Sequence, residues 1–153
     1  MNDEREILNL LYRYCELQDE ADFAGVAELF RHSAYRVQDG GEHHGYDEVY
    51  ALKTKHDKVY DDGTLRTKHI THNTFMEHDD GGTDGNGRMA RTRSVFTVYQ
   101  ATPDLPLQCV IVGRYHDTFE QVDGQWCFSD RLIIGDLVGD LSQHLRDNPL
   151  DAR

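Results

Sequence analysis

The sequence predicts an α+β fold: a cone-shaped α+β barrel, in which a bent antiparallel sheet carries three helices from the N-terminal half over its concave face. Three observations lead there. The three main helical patterns all lie before Asp61. Four long strand-like stretches follow, at residues 66–78, 87–100, 107–121 and 125–135. Turn-rich segments separate them, at residues 79–87, at 102–106 and at Asp123-Gly124. Helices first and strands second argue for helices on one face of one sheet. A bent sheet closed by helices encloses a natural ligand pocket.

Residues 3–18 read as the first helix, because Ile7, Leu8, Leu11, Tyr14, Cys15 and Gln18 recur at three- and four-residue steps. Asp19 lies at its end, where a carboxylate meets the negative end of the helix dipole. Asp22 is a candidate N-cap for a short second helix that turns Phe23, Val26, Ala27 and Phe30 to one side. Residues 33–37 form a short strand candidate, ended by Asp39-Gly40-Gly41. A third helix is expected from Tyr46 or Asp47 to about Tyr60, with Val49, Leu52, His56 and Val59 inward. After the four long strands, Leu137, Val138, Leu141 and Leu145 recur at roughly helical spacing. The expected organisation is one domain over residues 1–135 and a C-terminal tail, 136–153, as a candidate lid, oligomer contact or loosely docked terminus.

The totals narrow the function. A chain of 153 residues favours one domain. Its formal net charge of −12 argues against nucleic acid and anionic membranes as partners. There is no apolar run of about 18 residues, as a spanning helix requires, and the first residues lack the order of a signal peptide. Cys15, Cys109 and Cys127 are scattered, with no CxxC, which fits free thiols in a reducing cytoplasm. Nine histidines invite a metal reading, yet no HxH, HExxH or CxxC arrangement occurs, so no metal is expected.

The stretch from Thr64 to Glu77 carries the most chemistry. As a strand it alternates, so His69, Thr71, Asn73 and Phe75 share one face, while Ile70, His72, Thr74 and Met76 share the other. His69 is either a base on a pocket wall or a core histidine satisfied by a carbonyl. Asp19 is either its partner or a helix-end carboxylate.

Several motifs together resemble the SnoaL-like and scytalone-dehydratase-like branch of the nuclear transport factor 2-like superfamily. Tyr12, Tyr14, Asp19, Asp22-Phe23 and Leu29-Phe30 look like the branch's opening helix pair. Residues 64–69, Thr-Leu-Arg-Thr-Lys-His, look like the start of the catalytic-histidine strand of scytalone dehydratase. His69 and Asn73 fit an H-x-x-x-N form, and residues 123–131 look like the closing hairpin DGxWxFxxR. The resemblance implies a cofactor-independent lyase or isomerase acting on a hydrophobic, oxygenated ring compound of polyketide, steroid or aromatic-catabolite type. It casts His69 as general base and Asp19 as its orienting partner. It also offers Tyr14, Tyr35, Asn73 and Arg131 as substrate-binding candidates, and a homodimer or homotrimer. Tyr14 and Tyr35 equally suit core packing. Arg131, by alternation with Trp126 and Phe128, is expected on the face of Cys127, Ser129 and Ile133. If that face is inward, burial demands a carboxylate or a substrate oxygen, and if outward, Arg131 is a solvated surface charge. The superfamily also contains non-catalytic binding modules and small subunits of ring-hydroxylating oxygenases, and those readings stay open. The second catalytic histidine of scytalone dehydratase has no counterpart in residues 87–96.

Overall fold

The computed structural model describes residues 2–79 and 87–147. In chain order the elements are α1 (Asp3–Asp19), α2 (Phe23–Leu29), β1 (Ala34–Val37), β2 (Gly41–His44) and α3 (Gly45–His56), then β3 (Thr67–Asp79), β4 (Met89–Thr102), β5 (Leu105–Val122) and β6 (Gln125–Val138). The turn expected around residues 80–86 and the polar end of the tail, 148–153, lie outside the described residues.

α1 starts where Asn2 accepts a hydrogen bond from the Glu4 amide at 2.8 Å, with Asp3, Glu4 and Glu6 favourably placed in its first turn. It stops in a Schellman-type reversal: Asp22 N–H bonds the Leu17 carbonyl and Ala21 N–H that of Gln18. Ala21 takes the left-handed conformation, φ +56°, that glycine usually supplies. Asp22 then caps α2 by accepting from the Gly25 amide at 2.9 Å. This tight turn leaves Asp19 in the last turn of α1, where its carbonyl accepts the Leu65 amide just ahead of β3.

The six strands run in the order β2-β1-β6-β5-β4-β3, a bent, open sheet. The α+β class holds, and β3 to β6 form the expected antiparallel meander. One pairing departs from a wholly antiparallel sheet: β1 runs parallel to β6. No hairpin links these two, so no turn imposes the opposite direction, and Arg36 clamps Asp130 on β6 with bonds of 2.8 and 2.6 Å. β2 is an additional strand. Asp39-Gly40-Gly41 forms a hairpin turn with Gly41 at φ +96°, and Gly41–His44 returns along β1.

Bulges bend the sheet. At Gly113 on β5, an added Cβ would lie 2.1 Å from the Ile134 carbonyl oxygen and 2.6 Å from the Phe96 ring. Only glycine allows that approach. The concave face holds the core of Ile7, Leu11, Val26, Phe30, Val98, Phe119 and Phe128.

Two expectations for local structure are overturned. α3 ends at His56, and Val59 is exposed rather than inward. Asp57 instead makes a bridge with Leu145, and the Lys58 amide bonds the His144 carbonyl, so the chain straightens there. Residues 137–145 are not helical. β5 provides a long partner, so β6 runs on to Val138, leaving Leu137 exposed. The chain then folds inward through turns that bury Leu141 and His144.

Candidate active site

The dyad is built by the end of one helix and the start of one strand. The Asp19 carboxylate accepts the Thr67 hydroxyl at 2.8 Å and the His69 amide at 3.1 and 3.0 Å. The same carboxylate lies 2.6 Å from the His69 ring Nδ1. Three donors offset its unfavourable position at a helix C-terminus. A carboxylate has no proton to give, so Nδ1 carries the hydrogen, and the Nε2 lone pair is left free. The side chains of His69 and Asp19 are only 6% and 8% exposed, so water competes little for this bond. The His69 ring lines a cavity of about 150 Å³ between α1, α3 and the sheet. A second cavity of about 150 Å³ shares Tyr35, Val37, Lys53, Asp57 and Leu145 with the first.

Tyr14 and Tyr35 stand together on the cavity wall with hydroxyl oxygens 2.9 Å apart. Tyr14 also meets the His69 ring edge-on, with centroids 6.5 Å apart. Burial, the largest effect, pushes the Tyr14 phenol well above its ordinary pKa, so it stays a neutral donor.

Four cavity residues were not singled out as site residues from the sequence. Lys53, on α3, is buried with its Nζ 5.0 Å from the Tyr35 ring centroid and 3.8 Å from Asp57 Oδ2. Burial opposes its charge, but the oxygens of Tyr14, Tyr35 and Asp57 outweigh that and raise its pKa. Gln18 donates to Asp57 at 2.7 Å. His144 reaches the cavity from the C-terminal segment, its ring centroid 5.7 Å from that of His69. Burial, the largest cause, lowers its pKa to about 4, with Lys53 and His69 adding to the effect and Asp57 and Asp19 opposing it. Signals did exist: a glutamine in the apolar stripe of α1, a Lys-Asp pair four apart across the end of α3, and a histidine between Leu141 and Leu145.

Two candidates stand elsewhere. Asn73 is exposed. Asn73 and Thr74 together oppose Ser94 in a β-bulge, with Asn73 at φ +53°. Alternation restarts there, so His69 and Thr71 face inward before the bulge, while Met76 packs on the core after it and Phe75 is exposed. Arg131 is wholly buried, but it does not line the cavity. Ser129 is an extra residue between the Asp130–Thr118 and Phe128–Phe119 pairs, and this turns Arg131 onto the face of Trp126 and Phe128, not that of Cys127. There it donates two bonds to Asp117, 2.7 and 2.9 Å, and lies 3.8 Å from the Tyr115 centroid and 4.4 Å from that of Tyr14. Arg131 therefore backs Tyr14 from behind.

Among the described residues, no group of three or more His, Cys, Asp or Glu side chains is placed to hold a metal ion. Nor is any helix among them long and apolar enough to cross a membrane.

A helix-capped bent sheet with a buried His-Asp pair facing a mixed apolar and polar cavity is an α+β architecture of the cystatin-like class. The chain belongs to the SnoaL-like domain family, whose sequence profile matches residues 1–132. Among solved structures, a variant of Rv3472, a protein of unknown function from Mycobacterium tuberculosis, is 25% identical with a TM-score of 0.70, over 89% of this chain and 73% of its own. A candidate scytalone dehydratase from Novosphingobium aromaticivorans is 21% identical with a TM-score of 0.68, over 90% and 87%. ActVI-ORFA from Streptomyces coelicolor is 17% identical with a TM-score of 0.68, over 87% and 96%. These last two likenesses speak to fold. No curated protein sequence matches the chain.

Proposed function

We propose that this protein is a cofactor-independent lyase or isomerase acting on a hydrophobic, oxygenated ring compound. The observation that carries the proposal is the 2.6 Å contact between His69 Nδ1 and Asp19, on a ring that lines the cavity. Asp19 holds the imidazole with its basic nitrogen free, and its charge stabilises the imidazolium that forms when His69 takes a proton from carbon. Tyr14 and Tyr35 offer a hydroxyl to the oxygen on which charge develops. Loss of a β-hydroxyl completes a dehydration, and return of the proton at another carbon completes an isomerisation. The reading of a scaffold with no dyad is disfavoured by the same contact and by the empty space beside it. Tyr14, Tyr35, Lys53 and Arg131 are consistent with this reading as a hydrogen-bonding wall and its support.

The test is direct. The protein is incubated with a panel of ring ketones such as 2-tetralone in deuterated water, and exchange at the carbon next to the carbonyl is followed by mass spectrometry. The wild type is expected to accelerate exchange and the folded His69→Ala variant to lose the acceleration. Equal exchange by the two proteins would sink the assignment of His69.

A further inference from the structure

His144 takes no part in the dyad, yet it is the cavity residue whose placement is hardest to explain by packing alone. It comes from the segment after β6, which a terminus could leave loosely docked. Here it is pinned. The Lys58 amide donates to the His144 carbonyl at 2.9 Å, and the Arg146 amide donates to His56 at 2.8 Å. The Gln143 carbonyl accepts from Gln100 Nε2 at 2.9 Å and from the Tyr60 hydroxyl at 2.5 Å. These bonds fix the backbone on both sides of His144 and direct its ring to the cavity, where it stands 5.7 Å from His69 at 64°. Only 7% of the residue is exposed, and its Nδ1 is buried with no hydrogen-bond partner. A buried polar ring held this firmly and left unsatisfied carries a desolvation penalty that apolar packing does not offset.

The chemistry of the cavity gives the ring a use. We propose that His144 is a second catalytic residue, which donates a hydrogen bond from its neutral ring to the substrate oxygen that gains charge when His69 removes the proton. The proposal rests on the lyase or isomerase reading above. The proton passes from carbon to His69, the C–H electron pair becomes the enolate double bond, and the carbonyl π pair moves onto oxygen. His144 keeps its own proton and stabilises that oxygen. In a dehydration the enolate pair then returns, the C–O bond breaks, and the leaving hydroxide takes the proton from His69 as water. Burial keeps His144 uncharged at neutral pH, so it donates without holding the proton that His69 must move. Lys53 and Asp57 face the same space, and the Lys53 charge favours a negative substrate oxygen there. The substrate class that follows is a ring ketone or a compound that ionises to a phenolate-like oxygen.

The probe is 2-naphthol, whose anion mimics a ring enolate. Binding and the anionic fraction of the bound naphthol are read by absorbance at mildly alkaline pH. Thermal melting checks that each protein is folded. Wild type is expected to bind naphthol and enrich the anion. His144→Leu, which removes the donor, is expected to weaken binding about tenfold, the worth of one hydrogen bond, and to abolish the enrichment. His144→Asn keeps a donor and is expected to restore most of both. Failure of the wild type to bind overturns the proposal, as does a Leu variant that behaves like wild type, or an Asn variant no better than Leu. His144-dependent naphthol binding with no proton exchange on any ring ketone would instead refute the lyase reading and leave the contact standing.

Discussion

The ion pair behind the cavity offers the most quantitative prediction. Arg131 and Asp117 are joined by two bonds of 2.7 and 2.9 Å, and both side chains are 0% exposed. Replacing Arg131 by Met keeps most of the volume and removes the charge. Asp117 is then left in the core with no cation, in a place where burial already raises its pKa against the pull of Arg131. Breaking a buried pair from one side costs about 3–5 kcal/mol. For a chain of this size that corresponds to a fall in melting temperature of about 10 °C, since each kcal/mol moves it by about 2–4 °C. Against a total stability of about 5–15 kcal/mol, such a variant stays folded over all but the low end of that range. The paired replacement Arg131→Met with Asp117→Leu removes both charges and is expected to recover most of the loss. Without Arg131 the carboxyl has a folded pKa above its unfolded one, so folding binds a proton. The single variant is therefore relatively more stable at about pH 5 than at about pH 7. Urea titrations of the wild type, the single variant and the double variant at both pH values provide the measurement. A single variant that loses under about 1 kcal/mol, or a double variant no more stable than the single, refutes the claim that mutual charge compensation holds this site.

Asp19→Ala removes the acceptor of the Thr67 hydroxyl, the His69 amide and His69 Nδ1, so proton exchange on a ring ketone should fall by about 10²–10⁴-fold; the exchange rate measures it. Below about pH 6.5 the unfolded His144 takes a proton that the folded ring refuses until about pH 4. The wild type is therefore expected to lose about 3 kcal/mol as pH falls through that window, and His144→Leu to flatten the loss in chemical denaturation. Gly113→Ala drives a methyl against the Ile134 carbonyl and the Phe96 ring, and should lower stability by about 1–3 kcal/mol in the same assay.

The helices and long strands were legible because each buries one face against the sheet, and periodicity reports that directly. Asp22 announced itself as a cap, and Asp123-Gly124 as a hairpin. The errors share a cause. Asn73 and Arg131 were assigned by counting alternate residues along β3 and β6, and in each strand one extra residue resets the count. Asparagine tolerates the left-handed conformation found at Asn73, but neither it nor Phe128-Ser129-Asp130 places an extra residue by itself, since a bulge is defined by the pairing with the next strand. Val59 and the leucines near the C-terminus were read from local spacing, but long-range pairing, Asp57 with Leu145 and β6 with β5, decided them. Juxtaposing His69 with Asp19 required a family likeness as well as alternation. His144 required the path of the tail, which no local pattern encodes.

The bulge at Asn73 has a further consequence for how this architecture can vary. It divides β3 into two segments whose facing patterns are out of step with each other. Orientation of His69 toward the cavity is set upstream, by Asp19, Thr67 and the ladder from Thr67 to His72. The stretch beyond Asn73 carries its own apolar contact through Met76. Single-residue changes of length in the far half of this hairpin can therefore be absorbed there without rotating the histidine, so the fold separates a fixed chemical end from an end free to drift.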